Sequence, residues 1–277
     1  MLGALIIVFR EVFEAGLIIG IVMAVTRGLS HRGWWVGGGV LGGVLGACIV
    51  AVFAGTLTAT FGGVGQELFN ASILAAAVTM LIWHNVWMAR HGRELAAEMR
   101  VVGEAVVSGS KSLAGLAIVV TVAVLREGVE VVLFLYGIAA SAGESNAAIF
   151  TGGIIGLLLG ALVCAMTYLG LLTIPSRYLF ATTSLMIAFL AAGMAAQATA
   201  FLEQANWVTV VGAVVWDSSW ILSEKSIVGR ALHTLIGYSD QPTMMQLVVY
   251  LTTLLTMFIL MKWCAPRTPA RIRGKGM

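Results

Sequence analysis

Seven stretches of this chain stay apolar for about twenty residues or more, at roughly 2–26, 34–60, 68–89, 113–140, 147–172, 179–202 and 244–263. A helix rises about 1.5 Å per residue, so about twenty residues cross a hydrocarbon core about 30 Å thick. No water is available there, so each crossing must satisfy its own backbone hydrogen bonds. The pattern predicts an all-α polytopic membrane protein with seven transmembrane helices. Composition agrees: 60% of the 277 residues are hydrophobic and 10% are charged. Soluble domains hold roughly 45–50% apolar residues. Met1 to Val8 carry no basic stretch and no small-residue cleavage site follows, so this apolar start is expected to be kept as the first span.

The connections set the orientation, because short cytoplasmic loops are enriched in Lys and Arg. The first connection holds Arg27 and Arg32, and the third holds Arg90, Arg93, Arg100 and Lys111. The fifth holds Arg177, and the tail holds Lys262, Arg267, Arg271, Arg273 and Lys275. The second and fourth have none, and the long sixth has only Lys225 and Arg230. This alternation predicts an N-out, C-in chain. On that orientation six acids face outward (Glu67, Glu144, Glu203, Asp217, Glu224 and Asp240) against two bases. Three acids and twelve bases face inward. An acidic outer mouth concentrates cations by focusing the field.

Two of the spans are interrupted by charge. Arg10-Glu11-Val12-Phe13-Glu14 and Arg126-Glu127-Gly128-Val129-Glu130 both read Arg-Glu-x-x-Glu. A charged side chain at the centre of a spanning helix costs roughly 2.5–3.5 kcal/mol on translocon scales, so such residues mark functional sites. Residues three and four apart share a helix face. Glu11 and Glu14 therefore point the same way, and Arg10 can pair with Glu14; the second copy behaves alike. Pairing uses one glutamate per arginine and leaves a second over in each copy.

The motifs also expose an internal repeat. Arg10, Glu11 and Glu14 map onto Arg126, Glu127 and Glu130 at an offset of 116, as Cys48 maps onto Cys164. Each second span carries a GxxxG, Gly42 with Gly46 and Gly156 with Gly160, which allows close helix packing. Spans 1–3 and 4–6 are expected to be two copies of one three-helix unit. Because span 1 runs inward and span 4 outward, the repeat is inverted, as in many secondary transporters with midplane ion sites. The expected units are repeat 1 at about 1–90, a cytoplasmic linker helix at 91–112, repeat 2 at about 113–202, an outer loop at 203–243, the seventh span at 244–263 and a tail at 264–277. Within the outer loop, the apolar run Trp207 to Trp216 is too short to span and is expected at the interface or as a re-entrant piece.

Four glutamates and two arginines leave two negative charges if all are ionised, which one divalent cation neutralises. Carboxylate oxygens suit hard cations. No histidine or cysteine is expected beside the motifs, which argues against a soft-metal or blue-copper type of site, and the Glu-x-x-His spacing of di-iron bundles is lacking. The three cysteines form no CxxC pair, so no disulfide framework or thiolate site is expected.

The paired motifs resemble those of the oxidase-dependent iron permease family, which includes the fungal high-affinity iron permeases and the bacterial EfeU-type permeases. The segment Trp216-Asp217-Ser218-Ser219-Trp220-Ile221-Leu222-Ser223-Glu224, continuing through Gly229-Arg230 and His233-Thr234-Leu235-Ile236-Gly237-Tyr238, looks like the outer loop of the bacterial members. The resemblance spans essentially the whole chain. It implies import of iron ions across the cytoplasmic (inner) membrane, with Glu11, Glu14, Glu127 and Glu130 as iron ligands and Arg10 and Arg126 in support. It also implies extracytoplasmic partner proteins that oxidise or deliver iron. The chain itself carries no copper or haem motif, so iron is expected as substrate, with no tightly bound cofactor and no nucleic-acid partner.

Asp217, Glu224 and Glu67 are the candidate outer entry. His84 and Asn85, near the inner end of span 3, are the candidate exit pair or a polar contact between helices. The competing readings are a permease for another cation such as Pb²⁺ or Mn²⁺, a proton-coupled exchanger, a membrane metalloenzyme with a carboxylate-bound metal, and a structural subunit. No HExxH or GxSxG supports the enzyme, and a subunit has no use for the unpaired glutamates.

Overall fold

The computed structural model describes residues 1–60, 66–142, 145–170, 176–208, 212–224 and 226–264. Among these residues the chain forms eight helices: α1 (Leu2–Val25), α2 (Arg32–Thr60), α3 (Gln66–Val107), α4 (Leu113–Ala142), α5 (Asn146–Tyr168), α6 (Ser176–Gln204), α7 (Ile227–Ile236) and α8 (Met244–Cys264). The connection at 61–65, Glu144, Lys225 and the tail from 265 lie outside the described residues.

The arrangement is that of a multi-pass membrane protein. Stretches of α2, α3, α5, α6 and α8 are long and apolar enough to cross a bilayer. α1 and α4 have the length, but each carries the three charges of its motif. Stripes of large apolar side chains face outward at helical spacing: Leu41, Leu45 and Ile49 on α2, Phe150, Ile154 and Leu158 on α5, and Val248, Leu251 and Leu255 on α8. Apolar surface this continuous marks contact with lipid rather than water. Trp34, Trp83 and Trp263 are also exposed, as suits anchoring residues.

Two apolar cores occupy opposite ends of the bundle. One joins Ala4 and Ile7 of α1 to Phe134 and Ile138 of α4, with Leu74, Leu81, Ile187 and Met194. The other joins Ile18 and Val22 of α1 to Leu116, Val120 and Val124 of α4. The start of α1 therefore meets the end of α4, and the end of α1 meets its start: these two helices are antiparallel. Both motifs fall between the two cores.

Glycines set how closely the other helices approach. On α2, a Cβ at Gly39 would lie 2.7 Å from the carbonyl oxygen of Ala117, and Gly42 and Gly46 face Thr121 and Leu125 of α4. On α5, Gly156 and Gly160 face Leu5 and Phe9 of α1, and a Cβ at Gly156 would lie 3.0 Å from the amide nitrogen of Phe9. Leu5 and Phe9 become Thr121 and Leu125 at an offset of 116, while Gly156 and Gly160 match Gly42 and Gly46 at 114. Each second helix thus packs on the motif helix of the other half. The expected match of Cys48 with Cys164 at 116 does not follow this register: Cys48 is exposed, whereas Cys164 lies against Gly16, Val12 and Phe13 of α1.

One expected boundary changes. The linker helix expected at 91–112 is not separate, because α3 continues unbroken for 42 residues. That is about 63 Å, twice the hydrocarbon thickness. Acids and bases at helical spacing from Arg93 to Arg100, with no proline, let the apolar helix run on into a polar one. Its far end packs back on the bundle, where Gly103 meets Val25.

In the outer loop, the described part of the apolar run from Trp207 to Trp216 lies at the surface of the bundle. Trp207, Val214 and Trp216 are exposed, and the backbone of residues 213–215 pairs with residues 242–244. Residues 209–211 lie outside the described set. α7 packs on α6. Its Ser226 caps the first turn by accepting from the amide of Gly229, and Gly237 ends it at φ +69°. That left-handed conformation favours glycine. Gly237 lies against Gly193, eleven residues before the end of α6, or about 16 Å along its axis. The Tyr250 hydroxyl of α8 donates to the carbonyl of Ile236.

Gly156→Leu is expected to force α5 off α1, whereas Gly37→Leu on the open face of α2 is expected to be tolerated. Overpacking typically costs about 1–3 kcal/mol. Thermal unfolding of both variants in detergent checks this, and equal midpoints would contradict the glycine seam.

Candidate metal centre

Three helices build the centre. α1 supplies Arg10, Glu11 and Glu14, α4 supplies Arg126, Glu127 and Glu130, and α3 supplies His84. The four glutamates are no more than 4% exposed, and Arg10 and His84 are 1% exposed.

Within each motif the pairing follows helical spacing. Arg10 Nε lies 2.9 Å from Glu14 Oε1, and Arg126 Nε donates to Glu130 Oε1 at 3.2 Å. Each arginine thus takes the glutamate one turn on. The neighbouring glutamates are held more loosely: Arg10 Nη1 lies 3.5 Å from Glu11 Oε1, and Arg126 Nε 3.9 Å from Glu127 Oε1. Glu11 Oε2 and Glu127 Oε2 are buried without a hydrogen-bond partner.

The two arginines differ. Arg10 is sealed in the bundle. The Arg126 side chain is 39% exposed, and its guanidinium lies over the Trp87 ring, 4.4 Å from the centroid. An arginine over an aromatic face is a cation–π contact contributing roughly 0.5–1 kcal/mol at an exposed site.

His84, expected in an exit pair or a polar contact between helices, makes polar contacts with both motif helices. Its ring stands between the two halves. Nε2 lies 3.3 Å from Glu14 Oε2 and 3.9 Å from Glu11 Oε2, while Nδ1 contacts Glu130 Oε2. One ligand atom each from Glu11, His84, Glu127 and Glu130 falls within 4.8 Å of the others. A histidine therefore does stand beside the motifs in space, although none does in sequence. One signal was available: His84 is an ionisable residue within an apolar span.

Asn85 separates from its neighbour. Its Nδ2 donates to the carbonyl of Ser184 at 3.2 Å and lies 3.7 Å from Met261 Sδ, tying α3 to α6 and α8. The candidate entry residues stand apart from the centre as well. Glu67 is exposed in the first turn of α3. Asp217 is exposed and accepts from Ser219 Oγ at 2.6 Å, from the Ser219 amide and from Gln241 Nε2. The Ser219 hydroxyl and amide hold its carboxyl below the usual range. Glu224 Oε1 lies 3.1 Å from His233 Nδ1. The Tyr238 hydroxyl, bonded to Ser218 and to the carbonyl of Leu222, ties the same loop together.

An apolar helical bundle closed around unmatched buried carboxylates defines a membrane protein that handles cations. Residues 1–265 match the model of the iron permease FTR1 family, and the chain belongs to that family. It is 31% identical over 269 residues to the ferrous iron permease EfeU of Yersinia pestis, covering 96% of this chain and 94% of that one. It is 30% identical over 265 residues to the ferrous iron permease EfeU of Escherichia coli O6:H1, covering 92% and 94%. No solved structure matches it. Its relatives are permeases, so the chain is a transporter and not an enzyme.

Removing one partner of a buried ion pair costs about 3–5 kcal/mol, whereas an exposed pair contributes about 0–1 kcal/mol. Arg10→Gln is therefore expected to destabilise the protein far more than Arg126→Gln. Thermal or denaturant unfolding in detergent measures both, and equal losses would contradict the asymmetry of the two motifs.

Proposed function

We propose that this protein imports iron across a bacterial cytoplasmic membrane through a midplane site formed by the two Arg-Glu-x-x-Glu motifs. The observation that carries this reading is the burial of Glu11, Glu14, Glu127 and Glu130 together, two more acidic side chains than there are arginines in the motifs, which leaves two negative charges if all are ionised. A buried surplus of charge in a low dielectric is costly. A cation entering the site offsets that cost, and a divalent ion neutralises it. The relatives are named for ferrous iron, and Fe²⁺ is the substrate this charge count favours.

The topology proposed for this transport has α1–α6 and α8 as seven spans, N-out and C-in, with α7 re-entering from the outside. Two inverted three-helix units, α1–α3 and α4–α6, are related about an axis in the membrane plane. The antiparallel motif helices and the crosswise glycine seams support this arrangement. The Lys and Arg distribution supports the orientation. Asp217, Glu224 and Glu67 then face outward and raise the local cation concentration through their field. Proteins that oxidise or deliver iron would meet the chain on that face.

Radioactive iron uptake by purified protein in liposomes tests the reading, with Fe²⁺ supplied anaerobically and Fe³⁺ as citrate in a parallel arm. Wild type is expected to take up iron. Glu14→Ala or Glu130→Ala is expected to abolish uptake while the protein still elutes as a folded species. Normal transport by both variants would sink the site.

A second expectation concerns entry. Asp217→Asn with Glu224→Gln removes charge and keeps hydrogen-bonding capacity. The pair is expected to raise the apparent KM more than it lowers the maximal rate. A loss of rate at saturating iron would place these acids in the path itself.

A further inference from the structure

We propose that His84 is a direct ligand of the transported ion, and that its nitrogen restricts the substrate to divalent transition metals and excludes Mg²⁺ and Ca²⁺. The inference rests on the permease reading above and adds a ligand that neither motif contains.

The argument begins with geometry. Ligand atoms from Glu11, His84, Glu127 and Glu130 fall within 4.8 Å of one another. Bonds of about 2.0–2.2 Å from nitrogen or oxygen to a metal such as zinc place tetrahedral ligand atoms about 3.4 Å apart. One ion therefore fits between these four side chains after shifts smaller than a bond length. Burial points the same way. His84 is 1% exposed with both ring nitrogens facing carboxylates, Nε2 toward Glu14 and Nδ1 toward Glu130, while Glu11 Oε2 and Glu127 Oε2 are buried without a hydrogen bond. These atoms converge on one place from three helices.

The charge of the set stays suited to a divalent ion, because a neutral imidazole adds a donor without adding charge. His84 can ligate with one ring nitrogen while the other holds a carboxylate, as metal-bound histidines commonly do. Nε2 faces Glu11 and Glu14 of the first motif and Nδ1 faces Glu130 of the second, so the ring connects the two halves whichever nitrogen binds.

Selectivity follows from the donor type. Mg²⁺ and Ca²⁺ are bound by oxygen ligands. Imidazole suits the later divalent metals, whose affinity for mixed nitrogen and oxygen sites rises from Mn²⁺ through Fe²⁺ and Co²⁺. A site of four carboxylates alone would discriminate poorly against Mg²⁺ and Ca²⁺, which are the abundant competitors. The other role open to His84 is that of a cation bridging Glu14 and Glu130 and never touching the metal.

Pulsed electron paramagnetic resonance on the full-length protein in detergent separates these roles, with Mn²⁺ alone as the probe. Wild type is expected to bind Mn²⁺ with nitrogen modulation from a coordinated imidazole, and a large excess of Ca²⁺ or Mg²⁺ is expected not to displace it. His84→Gln is expected to lose the nitrogen signal, bind Mn²⁺ about tenfold or more weakly, and release it to Ca²⁺. Bound Mn²⁺ without nitrogen coupling in wild type overturns the proposal. So does ready displacement by Ca²⁺, or a failure to bind Mn²⁺ in a preparation that transports iron. If His84→Gln does not fold, the wild-type spectrum and competition decide alone. A nitrogen-coupled site in a protein that takes up no iron would leave His84 as a ligand and remove the permease reading.

Discussion

Arg10 can be buried at the centre of an apolar bundle because Glu14 lies 2.9 Å from its Nε and Glu11 3.5 Å from Nη1. Without those carboxylates the guanidinium would lose its hydration and gain nothing in return. The carboxylates depend equally on Arg10, on His84 and on one another's placement. This mutual dependence fixes the register of α1, α3 and α4. A slip of one residue on any of the three would turn a charge toward lipid or toward an apolar core. The two cores above and below the cluster, one with Ile7 and Phe134 and the other with Val22 and Val120, hold the charged layer at a single height.

Glycine makes that height reachable. Among the described residues α2 and α5 contribute no group to the centre, yet each lies along the motif helix of the other half through Gly39, Gly42 and Gly46 or through Gly156 and Gly160. Lipid tails are as apolar as leucine, so helices in a membrane gain by close packing rather than by leaving water. Close approach of backbones is what small residues allow. The outward faces of α2 and α5 can then be left to Leu, Ile and Phe.

Much of this was legible in the chain. The apolar runs gave helix positions to within a few residues for every long helix except α3, because a buried backbone in lipid has little choice but to be helical. The i, i+4 pairing of Arg10 with Glu14 and of Arg126 with Glu130 followed from helical spacing and holds in the structure. Three features were hidden, each for a separate reason. α3 overran its span because a change from apolar to polar residues alters a helix's surroundings without ending it. α7 packs on α6 because two glycines, Gly193 and Gly237, permit a contact that hydropathy does not register. Cys48 and Cys164 matched in number but not in place, because the second helices are offset by 114 rather than 116.

By itself the sequence determined that this protein crosses a membrane, that it carries two copies of a charged motif inside apolar helices, and that those charges do not balance. Local periodicity and the cost of burying charge are enough for that. Only the tertiary structure decided that the two motifs meet, that Arg10 is sealed while Arg126 rests on Trp87, and that His84 stands between them. His84 is seventy residues from Glu14 and forty-six from Glu130. Spacing along a chain reports neighbours only within one helix. Which faces of separate helices come together depends on tilt, rotation and the closeness that glycine permits.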